Sequence, residues 1–202
     1  MLKFAATAIL VLTAVGLASA QGKNAAEIRR IDTLARTIDR IAKNDRKKII
    51  IADTVDFDQK KADWKLFESE KALDAFREKT ETYTVAFNWL RNGKVIASNF
   101  TLFSPSGDWT KYVFHYLRPD GSLAMVKSEL RTFFGEYIVR EERYFDKRGR
   151  LIKRTIRYFD LTTEKPKKPT KEMRDDNPSL YKVDYYLSAG KLPFAKLIPR
   201  TN

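Results

Sequence analysis

Leu90-Arg-Asn-Gly93, Ser104-Pro-Ser-Gly107, Arg118-Pro-Asp-Gly121, Thr132-Phe-Phe-Gly135 and Asp146-Lys-Arg-Gly149 punctuate the stretch from Tyr83 to Leu161, each glycine 14 residues after the last. Between these phrases lie segments rich in Tyr, Phe, Trp, Val, Ile and Thr, the residues that suit a pleated, half-buried surface. Ser-Pro-Ser-Gly and Arg-Pro-Asp-Gly fit a type I turn followed by a left-handed glycine, the usual three-residue hairpin loop. Arg-Asn-Gly fits that turn or a two-residue type I′ turn, and Thr-Phe-Phe-Gly is the weakest of the five. The stretch reads as an antiparallel meander of six strands joined by five tight hairpins.

If every turn has the same form, the residue before each turn pairs with the one four later. Odd numbers then face odd and even face even throughout, because side chains alternate faces along a strand. The even face collects Ile96, Phe100, Leu102, Phe114, Tyr116, Val126, Leu130, Ile138, Tyr144, Ile152, Ile156 and Tyr158, and is the expected core. Each large apolar side chain buried there is worth about 1.5–3 kcal/mol. The odd face has apolar ends and a charged middle, with Lys111 opposite Glu129 and Lys127 opposite Glu141. Its basic groups, bordered by Phe103, Trp109, Tyr137 and Phe159, suit an anionic or sugar-like ligand held by charge and stacking. The expected ligand-binding set is Trp109, Lys111, His115, Lys127, Tyr137, Arg143, Lys153 and Arg157.

Outside the meander, residues 1–20 read as a secretory signal peptide: Lys3, an apolar run from Phe4 to Leu17, and Ala18-Ser-Ala20 as cleavage site. Cleavage after Ala20 leaves 182 residues with a net charge of +12, against +13 for the whole chain. Nothing later is apolar enough to span a membrane. The chain has no cysteine, which excludes disulfides, thiol catalysis and zinc–cysteine sites. These features describe a soluble, secreted or periplasmic basic protein. The positive balance favours an anionic envelope ligand, a glycan or a lipid headgroup, or else a protein partner. Export argues against intracellular nucleic acid.

Asn24 to Asp45 carries Ile28, Ile31, Leu34, Ala35, Ile38 and Ile41 at helical steps, an apolar stripe that needs the sheet to cover. Lys47 to Ile51 suits either more helix or a short edge strand. Asp56-Phe-Asp-Gln59 resembles a helix start, and Trp64 to Phe76 suggests one or two further short helices. Thr162 to Ser179 is a polar, proline-broken loop. Tyr181 to Leu187 resembles a last strand, and the tail offers Leu192, Phe194, Leu197 and Ile198 for packing. The organisation expected is a signal peptide (1–20), a helical segment (21–80), the meander (81–161), a basic proline-containing loop (162–179), and a strand with tail (180–202). Residues 21–202 form one domain. The fold class is α+β: N-terminal amphipathic helices on a curved six- to seven-stranded antiparallel meander, or half-barrel.

Candidate chemistry is sparse. His115 is the only histidine, so no histidine cluster can hold a metal. A hydrolase would have to use it with a nearby carboxylate. Glu129, Glu141 and Glu142 could form an acid–base pair, but lysine and arginine partners make plain ion pairs the stronger reading. Ser188-Ala-Gly-Lys191 matches Ser-x-x-Lys by letter only. No phosphate, calcium or zinc motif is present, and no cofactor is expected.

Tyr144-Phe-Asp-Lys-Arg-Gly-Arg-Leu151 resembles the tyrosine–aspartate hairpin repeat of bacterial surface and toxin-delivery proteins, over one hairpin only. The order of signal peptide, amphipathic helix and long meander resembles half-barrel periplasmic lipoprotein carriers. That likeness implies an apolar ligand held between helix and sheet. Three functions are therefore set against each other. They are an exported non-enzymatic binding module, a carrier of a lipid-like ligand, and a hydrolase using His115.

Overall fold

The computed structural model describes residues 5–44, 48–55, 61–170 and 182–199, with side chains described from residue 24 onward. Helix α1 runs Ala5–Asn44 and is followed by β1 (Ile49–Asp53), β2 (Trp64–Phe67) and α2 (Glu70–Arg77). The meander comprises β3 (Thr84–Arg91), β4 (Lys94–Phe103), β5 (Trp109–Leu117), β6 (Leu123–Thr132), β7 (Tyr137–Phe145) and β8 (Leu151–Asp160). All eight strands form one antiparallel sheet in the order β2-β1-β3-β4-β5-β6-β7-β8, which does not close. The fold is therefore α+β with an antiparallel meander, as expected, but with eight strands rather than six or seven. The extra strands are β1 and β2. Ile50, Ile51 and Ala52 are all buried because β1 lies between two neighbours rather than at an edge. Trp64–Phe67 is extended, and only Glu70–Arg77 is helical. There Ser69 caps the helix by accepting the Ala72 N–H at 3.1 Å. The helix-start signal at Asp56–Gln59 lies outside the described residues.

The hairpins stand where the glycines place them, but the register departs from the parity expected. Gly121 N–H donates to Arg118 O at 2.8 Å and Gly149 N–H to Asp146 O at 3.0 Å, both with φ near +80°. Asn92 (φ 50°) and Gly93 (φ 69°) make the two-residue turn. Beyond each of these three turns the register slips by one. Leu90 faces Val95 but Trp89 faces Ala97; Leu117 faces Leu123 but Tyr116 faces Met125; Phe145 faces Leu151 but Tyr144 faces Lys153. One residue is extra each time: Ile96, Ala124 and Ile152, three places after Gly93, Gly121 and Gly149. A bulge beside a left-handed glycine turn adds such an unpaired residue. At the opposite end no slip is recorded, and the paired numbers already differ in parity: Phe103 faces Thr110, and Thr132 faces Tyr137. Gly135 is not left-handed; Glu136 takes that conformation instead, with φ 52°.

Odd and even residues therefore share each surface, which overturns the one-parity expectation. One row reads Trp89, Ala97, Tyr116, Met125, Tyr144, Lys153; the row behind it reads Asn88, Ser98, His115, Val126, Arg143, Arg154 on the other face. Ile31, Ala35 and Ile38 of α1 pack on the first row, so the amphipathic stripe finds the sheet but not an even-numbered face. Leu73 of α2 covers Ile50, Ala52 and Val85 on the same side. The other side is covered by the C-terminal segment. Val183, Leu192 and Phe194 are buried against Phe100, Val113, Leu117, Leu123, Val126 and Phe145. Lys182–Leu187 forms no strand and is fastened by Leu123 N–H to Leu187 O (2.9 Å) and a bridge between Ser122 and Ser188. The part of the 162–179 loop that is described is tied to the sheet, with Lys167 N–H donating to Tyr158 O at 2.9 Å. Among the described residues no helix is long and apolar enough to cross a membrane.

Candidate functional site

The bulges and the longer β6–β7 turn divide the expected site between two surfaces. Lys127, Lys153 and Arg157 lie on the helix-bearing face; Trp109, Lys111, His115, Tyr137 and Arg143 lie on the face under the C-terminal segment. The second group is engaged in contacts within the protein. Trp109 and Tyr137 join an apolar cluster with Leu130 and Val139. Lys111 is buried and donates to Lys182 O, and that burial lowers its pKa. Arg143 donates to Glu141 and lies 5.3 Å from the Tyr185 ring. His115 is 0% exposed beside the Phe100 and Tyr186 rings, which stack on each other at 5.6 Å. Its Nε2 accepts the Tyr186 N–H at 3.3 Å, so Nδ1 carries the proton and donates to Ser98 O at 3.3 Å. Burial pushes its pKa down to about 4, outweighing the raising effect of the backbone bonds. Both nitrogens are engaged by main chain, so the carboxylate partner a His115 hydrolase requires is not bonded to it.

The expected ion pairs are also rearranged. Lys111 faces Leu130, and Lys127 faces Glu142 rather than Glu141. Glu141 instead accepts from Arg143 and Arg154 on the far face. Burial opposes ionisation of Glu141, but the Arg154 and Arg143 hydrogen bonds outweigh it and hold its pKa below the usual value. Glu141 therefore stays a carboxylate, a poor proton donor near neutral pH.

What the helix-bearing face leaves open is a cleft of about 460 Å³ beside α1. Tyr112, Phe114 and Tyr116 floor it from alternate positions of β5, with Asn99 on one side and Lys127, Glu129, Arg140 and Glu142 on the other. Trp89 stacks on Phe114 at 5.5 Å behind the floor. The charges are organised rather than scattered. Glu129 accepts from Arg131 and Arg140, both at 2.6 Å, and Glu164 accepts from the same two arginines at 3.0 and 2.6 Å. This closed ring of two carboxylates and two guanidiniums raises the Arg140 pKa, chiefly through its bonds to Glu164 and Glu129, and lowers that of Glu164. The Arg140 guanidinium lies 4.6 Å from the Phe159 ring. Lys127 reaches Asp39 of α1 at 3.2 Å, and the same carboxylate accepts the Tyr116 hydroxyl at 2.6 Å. Asn99 Oδ1 and Trp89 Nε1 are buried without a hydrogen-bond partner among the described residues. An unmet buried acceptor costs about 1–3 kcal/mol.

A second depression, about 360 Å³, lies between α1 and the β3–β4 hairpin; Leu34, Ile38, Ile41, Ile96, Leu117 and Pro119 give it an apolar wall. Among the described residues no group of three or more acidic, histidine or cysteine side chains is placed to hold a metal ion. Comparison with known proteins finds no matching family model, no matching curated protein and no matching solved structure.

Sequence reasoning missed Tyr112, Phe114, Asn99 and Arg140 as a group. The available signal was the alternation Tyr-x-Phe-x-Tyr within one strand, which does not depend on register. Global parity placed Phe114 and Tyr116 in the core, where Tyr116 does lie and against which Phe114 packs, and so drew no attention to the open side of Tyr112 and Phe114.

Proposed function

We propose that the chain is an exported, non-enzymatic binding module whose open cleft takes an acidic, hydroxyl-rich envelope component. The observation that carries this reading is the aromatic floor of Tyr112 and Phe114, with the buried Tyr116 ring beneath Lys127, beside Arg140 and the Asn99 amide. Flat rings suit the face of a sugar, the cations suit its acidic substituents, and the amide suits a hydroxyl. On this face β6, β7 and β8 contribute the cations Lys127, Arg131, Arg140, Lys153 and Arg157 against the carboxylates Glu129 and Glu142. Of the residues first expected, Lys127, Lys153 and Arg157 remain in the proposal. Export rests on residues 1–20, with cleavage after Ala20, and N-terminal sequencing of secreted protein tests it.

The binding test is calorimetry with an acidic oligosaccharide, a neutral one of equal length, and vesicles of anionic lipid. The expected result is preference for the acidic sugar and at least a tenfold loss of affinity in Tyr112→Ala and in Lys127→Gln. Equal binding of the neutral sugar, or full affinity in both variants, overturns the reading. Preference for vesicles over the free sugar moves the ligand to a lipid headgroup. The apolar depression behind α1 supports a second reading, a carrier of a lipid-like ligand. Native mass spectrometry of protein from its own host distinguishes the two: retained lipid lost in Leu34→Trp supports the carrier.

A further inference from the structure

We infer that the outer edge of β8, from Lys153 to Arg157, takes up an extended acidic segment of a protein partner as a ninth strand. β8 ends the sheet, and its inner side is bonded to β7. Along its outer side the chain's own return begins such a strand: Asp160 N–H donates to Lys165 O and Lys167 N–H donates to Tyr158 O, both at 2.9 Å, with Phe159 bridged to Pro166 between them. Tyr158 and Asp160 therefore turn their main-chain groups outward. By alternation so do Arg154 and Ile156, whose stretch of β8 is free of bulges.

The return strand stops for a reason written in the chain. Pro166 sits where no N–H is needed by β8. Continuing that register sets Pro169 opposite Ile156, where both residues must exchange bonds, and proline has no N–H to give. Among the described residues pairing ends there, and no hydrogen bond from them reaches the main chain of Arg154 or Ile156 on the outer side. An edge with unpaired donors and acceptors is a template for strand addition.

Charge selects the occupant. The Arg154 side chain is 50% exposed and that of Arg157 59% exposed, and Lys153 lies beside them. A second copy of β8, paired antiparallel about Thr155, would set Lys153 against Arg157 and is disfavoured. An acidic strand with carboxylates at alternate positions meets Lys153 and Arg157 on one face, and an apolar residue of its other face meets Ile156, which is 38% exposed. The basic edge thus both blocks self-association and favours an acidic partner.

The test uses the full chain and a labelled extended peptide of alternating glutamate and valine, with a lysine–valine peptide as control. Binding of the acidic peptide alone is expected, with amide exchange at Arg154 and Ile156 slowed at least tenfold while Lys153 and Thr155, already bonded to β7, are unchanged. Ile156→Pro removes one outward N–H without touching the inner ladder, and should weaken the peptide at least tenfold while leaving the urea midpoint in place. Should that variant unfold, Lys153→Glu with Arg157→Glu serves instead and should switch preference to the basic peptide. Tyr112→Ala should bind the peptide normally, so this inference stands or falls apart from the cleft. Absence of acidic-peptide binding, exchange at Arg154 and Ile156 already slow in the free chain, or equal binding of both peptides overturns it.

Discussion

At the residue scale the most informative side chain is His115, because its environment decides its role. A lone histidine beside carboxylates on neighbouring strands invites a catalytic reading. Its bonds to Ser98 O and the Tyr186 N–H instead fix one neutral tautomer inside the molecule. The consequence for stability has a definite sign. Above pH 6.5 the imidazole is neutral in folded and unfolded chains alike. Between pH 6.5 and about 4 the unfolded chain takes up a proton that the buried ring refuses. Stability therefore falls with falling pH, by about 1.4 kcal/mol per unit from this group. Below about pH 4 both states hold the proton and the slope from His115 ends. His115→Gln cannot ionise, so its stability deficit relative to the parent should shrink by about 2 kcal/mol between pH 7 and pH 5. Urea unfolding at the two pH values measures it, and a constant deficit would mean the ring is not held neutral. The structural role was legible in the sequence as the ordinary fate of a single histidine on a sheet; its partner Tyr186, 71 residues away, was not.

At the scale of elements, the existence of the strands was legible and their register was not. Alternation and turn chemistry are local properties, so six strands and their hairpins follow from short windows. Register depends on whether a turn carries one extra residue, and Ile96, Ala124 and Ile152 look no different from paired neighbours. One slip exchanges every side chain between faces, which is why Lys111 and Lys127 part company across β5 and β6; Lys127 and Arg143 part because residues 133–136 make the β6–β7 turn one residue longer than expected. The β6–β7 turn tests the conformational argument directly. Glu136, not Gly135, is left-handed, and a Cβ on Gly135 would lie 2.3 Å from Tyr137 Cε1 and 2.8 Å from Thr132 Oγ1. Tyr137 is buried in its cluster and cannot swing away cheaply. Gly135→Ala should cost about 1–3 kcal/mol through overpacking. Glu136→Gly should gain about 0.5 kcal/mol, since the left-handed penalty outweighs the added freedom of the unfolded chain. Thermal melts of the two variants should move in opposite directions; a sheet turning on a left-handed Gly135 would give both losses.

At the scale of the whole molecule, one sheet carries two unlike covers: helices on one side, an irregular C-terminal segment on the other. Only the first was plain from periodicity, because Ile31, Ala35 and Ile38 recur at helical steps while Val183, Leu192 and Phe194 follow no period. Phe194 is 1% exposed, with ring contacts at 5.0 Å to Trp64 and 5.4 Å to Phe100. Truncating such a ring costs about 3–5 kcal/mol, whereas a change in a solvated tail falls within about 0.5 kcal/mol. Phe194→Ala should therefore lower the urea midpoint by the larger amount. Ile31→Ala, beneath the other cover, should cost about 2–5 kcal/mol. The two sites belong to separate apolar clusters on opposite faces, with the sheet's backbone between them. Their effects should add to within about 0.5 kcal/mol in the double variant. A coupling above about 1 kcal/mol would mean that losing the tail lets the sheet change its twist beneath α1, and the cleft floored by β5 and walled by β4, β6 and β7 would then depend on the C-terminal segment on the opposite face.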